Sequence, residues 1–214
     1  HVTNYTFVTN QDTDQNSTTS HNSPSDWRQE GLDETDITLP ELLRDAGYRT
    51  ILAGKAHFGP RPLYASDPTN FGFDVNIGGS EIGRPKSYLG DYGQGTDRPV
   101  PHLEEYHHTG THLTEALTLE MKKAITESVE DGSPFFAYMT HYAVHPPFEV
   151  DPRFAANYPD LSGEPLAFAT LIEGMDKSLG DLLTHLESLG VAEDTLVVFF
   201  SDNGSDAPIG LDNT

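Results

Sequence analysis

The stretch T-L-V-V-F-F-S-D-N-G, Thr195 to Gly204, decides how the chain is read. Leu196 to Phe200 are five consecutive apolar residues, rich in β-branched and aromatic types, and they predict a strand buried on both faces, as in a parallel sheet. Ser201, Asp202, Asn203 and Gly204 then interrupt the run where the strand leaves the core. In an open α/β sheet that edge is where ligands bind. The Asp202 carboxylate and the Asn203 amide oxygen are two adjacent hard donors, the type that suits Ca²⁺ or Mg²⁺. Asp-Asn-Gly by itself also suits a simple turn. Two earlier segments that read as strand ends bearing chemistry favour the ligand-binding alternative.

The first of these follows Thr38. T-L-P-E is a capping box, with Thr38 as N-cap, Pro40 in the first turn and Glu41 reaching back. It opens a short helix with Leu39, Leu42, Leu43 and Ala46 on its apolar face and Gly47 as its stop. Y-R-T-I-L-A-G reads as a strand, and K-A-H-F-G at its end carries Lys55 and His57. The second segment follows a helix whose stripe is Leu113, Leu117, Met121, Ile125 and Val129, with Gly132 beyond it. P-F-F-A-Y-M-T-H-Y is the next buried strand, and A-V-H-P-P-F places His145 just before Pro146 and Pro147. His141, inside that strand, reads as structural. A long helix from about Pro165 to Leu189 leads back to the opening stretch, with Phe168, Leu171, Met175, Leu179, Leu182, Leu186 and Leu189 as its stripe.

Less regular segments lie between. The residues Val2–Thr9 suit a short strand, and Gln11–Trp27 are loop by composition. Residues 60–110 are rich in Gly and Pro and read as an irregular insertion near the active site, with one short apolar piece, F-G-F-D-V-N-I-G-G. His102, His107, His108 and His112 match no standard metal spacing and read as surface histidines. Asn4, Asn16 and Asn203 begin N-x-S/T triplets, which carry little information.

Composition narrows the function classes. With 12 basic and 34 acidic residues among 214, the formal charge is −22, and the pI is about 4.5. Such a surface disfavours nucleic acid, whereas an anionic small group remains compatible with a local basic pocket. The absence of cysteine excludes disulfides and thiolate metal sites. No apolar run approaches the roughly 18 residues of a membrane span.

If the strands are parallel, Lys55 with His57, His145, and Asp202 with Asn203 open on one edge of the sheet. A metal, an ammonium and two imidazoles there suit an oxyanion ester: the cations neutralise charge and a histidine protonates the leaving oxygen. The order and spacing of L-P-E-L-L-R-D-A-G-Y-R-T-I-L-A-G-K-A-H-F-G, H-Y-A-V-H-P-P-F, F-A-T-L-I-E-G-M-D-K-S-L-G-D-L-L and S-D-N-G resemble those of the type I, formylglycine-dependent sulfatases of the alkaline phosphatase superfamily. The resemblance runs from Thr38 onward. It implies an α/β fold, a mostly parallel sheet sandwiched by helices and incomplete at both ends, within a partial catalytic domain over residues 1–214.

By that resemblance Lys55 contacts the sulfate and the catalytic residue, and His57 orients the nucleophile. His145 contacts the sulfate and helps protonate the leaving alcohol, while Asp202 and Asn203 ligate a metal, usually Ca²⁺, with Mg²⁺ as the other option. Ala56 stands where the family commonly has Trp. The family's C/S-x-P/A-x-R nucleophile motif and its N-terminal aspartate pair do not occur. Ser23–Trp27, S-P-S-D-W, lacks the required Arg. The missing motifs are expected upstream of His1, a further lysine downstream of Thr214, and the 214-residue piece alone is expected to be inactive. The implied partner is a sulfated polysaccharide or oligosaccharide, in a periplasmic or secreted bacterial protein. A phosphatase or phosphodiesterase of the superfamily, and a non-catalytic relative that binds sulfated glycan, are the competing readings.

Overall fold

A computed structural model describes residues 31–202. The segments Val2–Thr9 and Gln11–Trp27, together with Asn4, Asn16 and Asn203, lie outside the described residues. The chain divides into two units, His1–Pro147 and Phe148–Thr214.

In the first unit, helix α1 spans Leu39–Asp45. The Thr38 amide donates to Glu41 Oε2 at 2.9 Å and the Glu41 amide donates to Thr38 Oγ1 at 3.4 Å, the reciprocal pair the sequence encodes. The Thr38 hydroxyl also donates to the Phe71 carbonyl at 2.9 Å, so the cap fastens the helix to the segment just ahead of residues 75–77. Leu39 and Leu42, expected on the buried face, are exposed among the described residues, and Pro40 is buried in their place.

Three parallel strands follow: β1 Arg49–Gly54, β2 Val75–Ile77 and β3 Phe135–Thr140, in the order β2-β1-β3. Ile51 sits opposite Val75 on one side and Ala137 on the other. With neighbours on both edges, β1 buries Thr50, Ile51, Leu52 and Ala53 completely, which is why its sequence is continuously apolar rather than alternating. Buried Thr50 is satisfied by the turn that precedes β2: its hydroxyl donates to the Gly72 carbonyl at 2.5 Å and its amide to Asp74 Oδ2 at 3.0 Å. Phe136 and Tyr138, on one face of β3, stack on Phe73, which stacks in turn on Phe58.

Between β2 and β3, helix α2 spans Leu113–Glu130 and packs on the sheet. Leu113, Leu117, Met121 and Ile125 of the expected stripe are buried. Thr118 and Ser128 are buried too, and each hydroxyl donates to a carbonyl four residues back. Residues 60–110 are mostly turns and short 3-10 turns, with one strand in the apolar piece. They contain β2, and Phe71, Phe73, Ile82, Tyr88, Tyr92, Val100 and Leu103 are buried. Aromatic residues spread among glycines supply core that no helical or strand period reveals.

In the second unit, α3 spans Gly163–Ser188. Its buried residues are Ala167, Phe168, Thr170, Leu171, Gly174, Ser178 and Leu186, so small and polar positions replace much of the expected leucine stripe. The Asp151 carboxylate, gripped by Arg153 at 2.6 Å, packs at ordinary contact distance beside Gly174, and the Asp151 amide donates to Thr170 Oγ1. The run Leu196–Phe200, expected as a doubly buried strand, forms no ladder among the described residues, and Leu196 is 88% and Phe199 83% exposed. A strand exists only where a neighbour takes its N–H and C=O groups, and the described sheet contains β2, β1 and β3 alone. Among the described residues no helix is long and apolar enough to cross a membrane.

Thr38→Ala removes both the cap and the bond to Phe71. It is expected to cost about 1–2 kcal/mol of unfolding free energy in urea titration, with Thr38→Ser near wild type.

Candidate functional site

All three strands point the same way, so their C-terminal ends form one edge. From β1 the chain exits through Gly54 and Lys55. Gly54 has φ +112, and a Cβ there would lie 1.7 Å from the Thr140 carbonyl oxygen, so only glycine fits. The Lys55 amide donates to that same carbonyl at 2.7 Å. Lys55 therefore leaves the sheet at a fixed point beside the end of β3.

Two residues on, His57 adopts φ +55 and its amide donates to the Ser80 carbonyl at 2.9 Å, tying the β1 exit to the β2 exit. Gly83 lies flat against its imidazole, since a Cβ on Gly83 would be 2.6 Å from Cε1. The β3 exit is held by two tyrosines. Buried Tyr142 donates its hydroxyl to the Gly78 carbonyl at 2.8 Å, and buried Tyr88 donates to the His145 carbonyl at 2.8 Å. His145 itself is exposed; its amide donates to the Tyr142 carbonyl at 2.9 Å, and its Nδ1 lies 3.1 Å from the Pro146 carbonyl.

Electrostatics link the three groups. Burial first, then the Lys55 ammonium and His145, push the His57 pKa down from 6.5 to about 4. His57 is thus neutral near pH 7, presenting one N–H and one lone pair. Burial and nearby Glu81 push the Tyr142 phenol well above its ordinary value, which preserves it as a hydroxyl donor.

The structure therefore brings Lys55, His57 and His145 to one edge of the first unit. Asp202 belongs to the second unit, exposed at the end of the described residues, and Asn203 lies beyond them. Among the described residues no group of three or more His, Asp or Glu side chains could hold a metal ion. Asp202 with Asn203 fits a hard divalent cation in donor type, but supplies two of the roughly six to eight oxygens Ca²⁺ takes.

Of the histidines expected on the surface, His102 and His108 are exposed, whereas His112 is 1% exposed. His112 caps α2 by accepting the Thr114 amide at Nδ1, 3.3 Å away, and stacks on Tyr88 at 5.4 Å. His141, expected inside the strand, lies just beyond the end of β3, and burial and His112 push it down to about 4. Sequence reasoning missed Ser80, Gly83, Tyr88 and Tyr142. The available signal was G-G-S-E-I-G-R directly after an apolar piece, a glycine-rich strand exit.

A family model described as Sulfatase matches residues 2–209. N-acetylgalactosamine-6-sulfatase of Mus musculus is 29% identical over 189 residues, 82% of this chain and 34% of that protein. N-sulphoglucosamine sulphohydrolase of Homo sapiens is 32% identical over 184 residues, 82% of this chain and 36% of that one. The chain thus spans about a third of the length of these curated relatives. Among solved structures, Ps i-CgsB aligns with a TM-score of 0.61 at 22% identity, covering 79% of this chain and 40% of that one. The PsFucS1 sulfatase from Pseudoalteromonas sp. aligns at 0.52 and 20% identity, covering 75% and 37%. At these identities the likeness is one of fold.

NMR titration of the His57 ring protons is expected to give a midpoint near pH 4, and an ordinary value near 6.5 would contradict the buried, cation-flanked geometry. Between those two values the unfolded chain binds a proton that folded His57 does not. The stability contributed by this group is therefore complete above about pH 6.5 and is lost as pH falls towards 4. Gly83→Ala is expected to displace the imidazole and shift the His57 ring resonances, while the far-ultraviolet circular dichroism stays that of wild type.

Proposed function

Because the chain belongs to the sulfatase family, we propose that the protein hydrolyses sulfate esters of a carbohydrate and that Lys55, His57 and His145 hold the sulfate end of its site. The observation that supports this most directly is the meeting of an ammonium, a neutral imidazole and an exposed imidazole at the C-terminal edge of a parallel sheet. A sulfate ester carries one negative charge spread over three oxygens. A single ammonium matches it, and a neutral His57 can donate one hydrogen bond without demanding a second anion.

The division of labour follows from exposure. Lys55, fixed by the Gly54–Thr140 contact, binds sulfate oxygens and stabilises charge there as the ester bond breaks. Neutral His57, locked between the Ser80 carbonyl and Gly83, orients its neighbours and stays outside proton exchange at working pH. Exposed His145 faces solvent, with its backbone held by Tyr88, and is the group placed to return a proton to the leaving alcohol oxygen. A formylglycine nucleophile, and a Ca²⁺ or Mg²⁺ ion held in part by Asp202 and Asn203, would supply the attack on sulfur and further charge neutralisation.

The names of the two relatives, each joining sulfate-ester or sulfamate chemistry to an amino sugar, support a sulfated carbohydrate as substrate. The acidic composition suits a periplasmic or secreted bacterial protein that works on such a glycan.

In the full-length protein, Lys55→Ala is expected to lower kcat/KM for 4-nitrophenyl sulfate by about 100-fold or more, the scale of losing one charge-stabilising donor. Retention of activity within about threefold, or faster turnover of 4-nitrophenyl phosphate than of the sulfate by wild type, would overturn the assignment.

A further inference from the structure

The excess of 22 negative charges makes each uncompensated cation informative. Of the 12 lysines and arginines, all but Arg28 fall in the described residues. Arg49, Arg61, Arg98, Lys123, Arg153 and Lys177 each lie 2.6–3.7 Å from a carboxylate, and Lys122 is also engaged by a partner. Among the described residues Arg44, Lys55, Arg84 and Lys86 have no such partner. Arg44 sits in the last turn of α1, where the helix carbonyls favour a cation. The other three belong to the strand exits that build the site. Lys55 leaves β1, and Arg84 directly follows the glycine laid against the His57 ring. Lys86 is two residues further, its amide donating to the Arg98 carbonyl at 3.1 Å.

The segment that carries Arg84 is fixed at several points rather than loose. Ser80 accepts the His57 amide, and Glu81, with its side chain 7% exposed, is paired with Arg61 at 2.7 Å. Glu81 is therefore already neutralised by Arg61, which leaves the half-buried Arg84 guanidinium without an acid to answer it. A guanidinium left unanswered in so acidic a chain, on the residue next to the glycine that meets the His57 ring, suits a ligand oxyanion. Its planar fork matches sulfate or carboxylate with two parallel hydrogen bonds.

We propose that Arg84, with Lys86 adding to the local positive potential, forms a second anion-binding subsite beside the Lys55 pocket. It takes a further sulfate or carboxylate group of the same glycan, so the protein selects polyanionic carbohydrate. This rests on the sulfate-ester reading of the Lys55 pocket. It also accounts for how a chain of this charge admits such a substrate: three uncompensated cations on the strand exits would reverse the field locally.

The test uses the full-length protein and sucrose octasulfate as the probe, with calorimetric binding to wild type, Arg84→Gln and Arg84→Lys. The expected result is about a tenfold or greater loss of affinity in Arg84→Gln, the size of a charge-assisted contact, with partial recovery in Arg84→Lys. Affinity for inorganic sulfate, which fills only the Lys55 pocket, changes by less than about twofold. Equal binding of the octasulfate by wild type and Arg84→Gln overturns the subsite, as does an equal loss for inorganic sulfate. A trigalacturonate arm separates the sources: Arg84-dependent binding there assigns a carboxylate, and its absence assigns a second sulfate. If wild type hydrolyses no sulfate ester while the octasulfate still binds through Arg84, the hydrolase reading fails and the subsite stands.

Discussion

Everything at the candidate site depends on a backbone contact at the exit of the central strand. Gly54 lies so close to the Thr140 carbonyl that no side chain fits, and the next amide, of Lys55, donates to that carbonyl. Two strands are thereby joined at their last residues instead of diverging. The consequence is geometric: the ammonium of Lys55 starts from a position defined by β1 and β3 together. The β2 exit is added through the Ser80 carbonyl and the His57 amide, and the β3 exit is tied back by Tyr142 and Tyr88. A glycine before the lysine is thus a requirement of sheet packing as much as of chemistry.

The electrostatic character of the edge follows from its construction. His57 is buried by the β2 exit segment and flanked by a cation, and both effects disfavour its protonated form. Lys55 consequently supplies positive charge without competition from a second cation at the same point. With a net charge of −22, the positive charge of Lys55 at the strand exits stands out against an acidic chain.

Local signals in the sequence carried the parts of the fold that are local. The capping box at Thr38, the α2 stripe and the strands Arg49–Gly54 and Phe135–Thr140 were legible because cap chemistry and apolar period are properties of neighbouring residues. Lys55, His57 and His145 were legible as strand-end residues for the same reason. What could not be read was who covers whom. Leu39 and Leu42 look like a core face and are exposed, while His112 looks like a surface residue and is buried against Tyr88. The stretch that opened the reading, Leu196–Phe200, has the composition of an inner strand, but a strand is a relation between two segments, and its own residues encode only one of them. The aromatic core within residues 60–110 has no period at all, so only the folded chain reveals it.

The bare stretch from Leu196 to Phe200 has a practical side. It has no charge, no proline and no glycine, and it offers its main-chain groups along with five greasy side chains. Segments of that kind are templates for stacking with identical copies of themselves, the starting point of cross-β assembly.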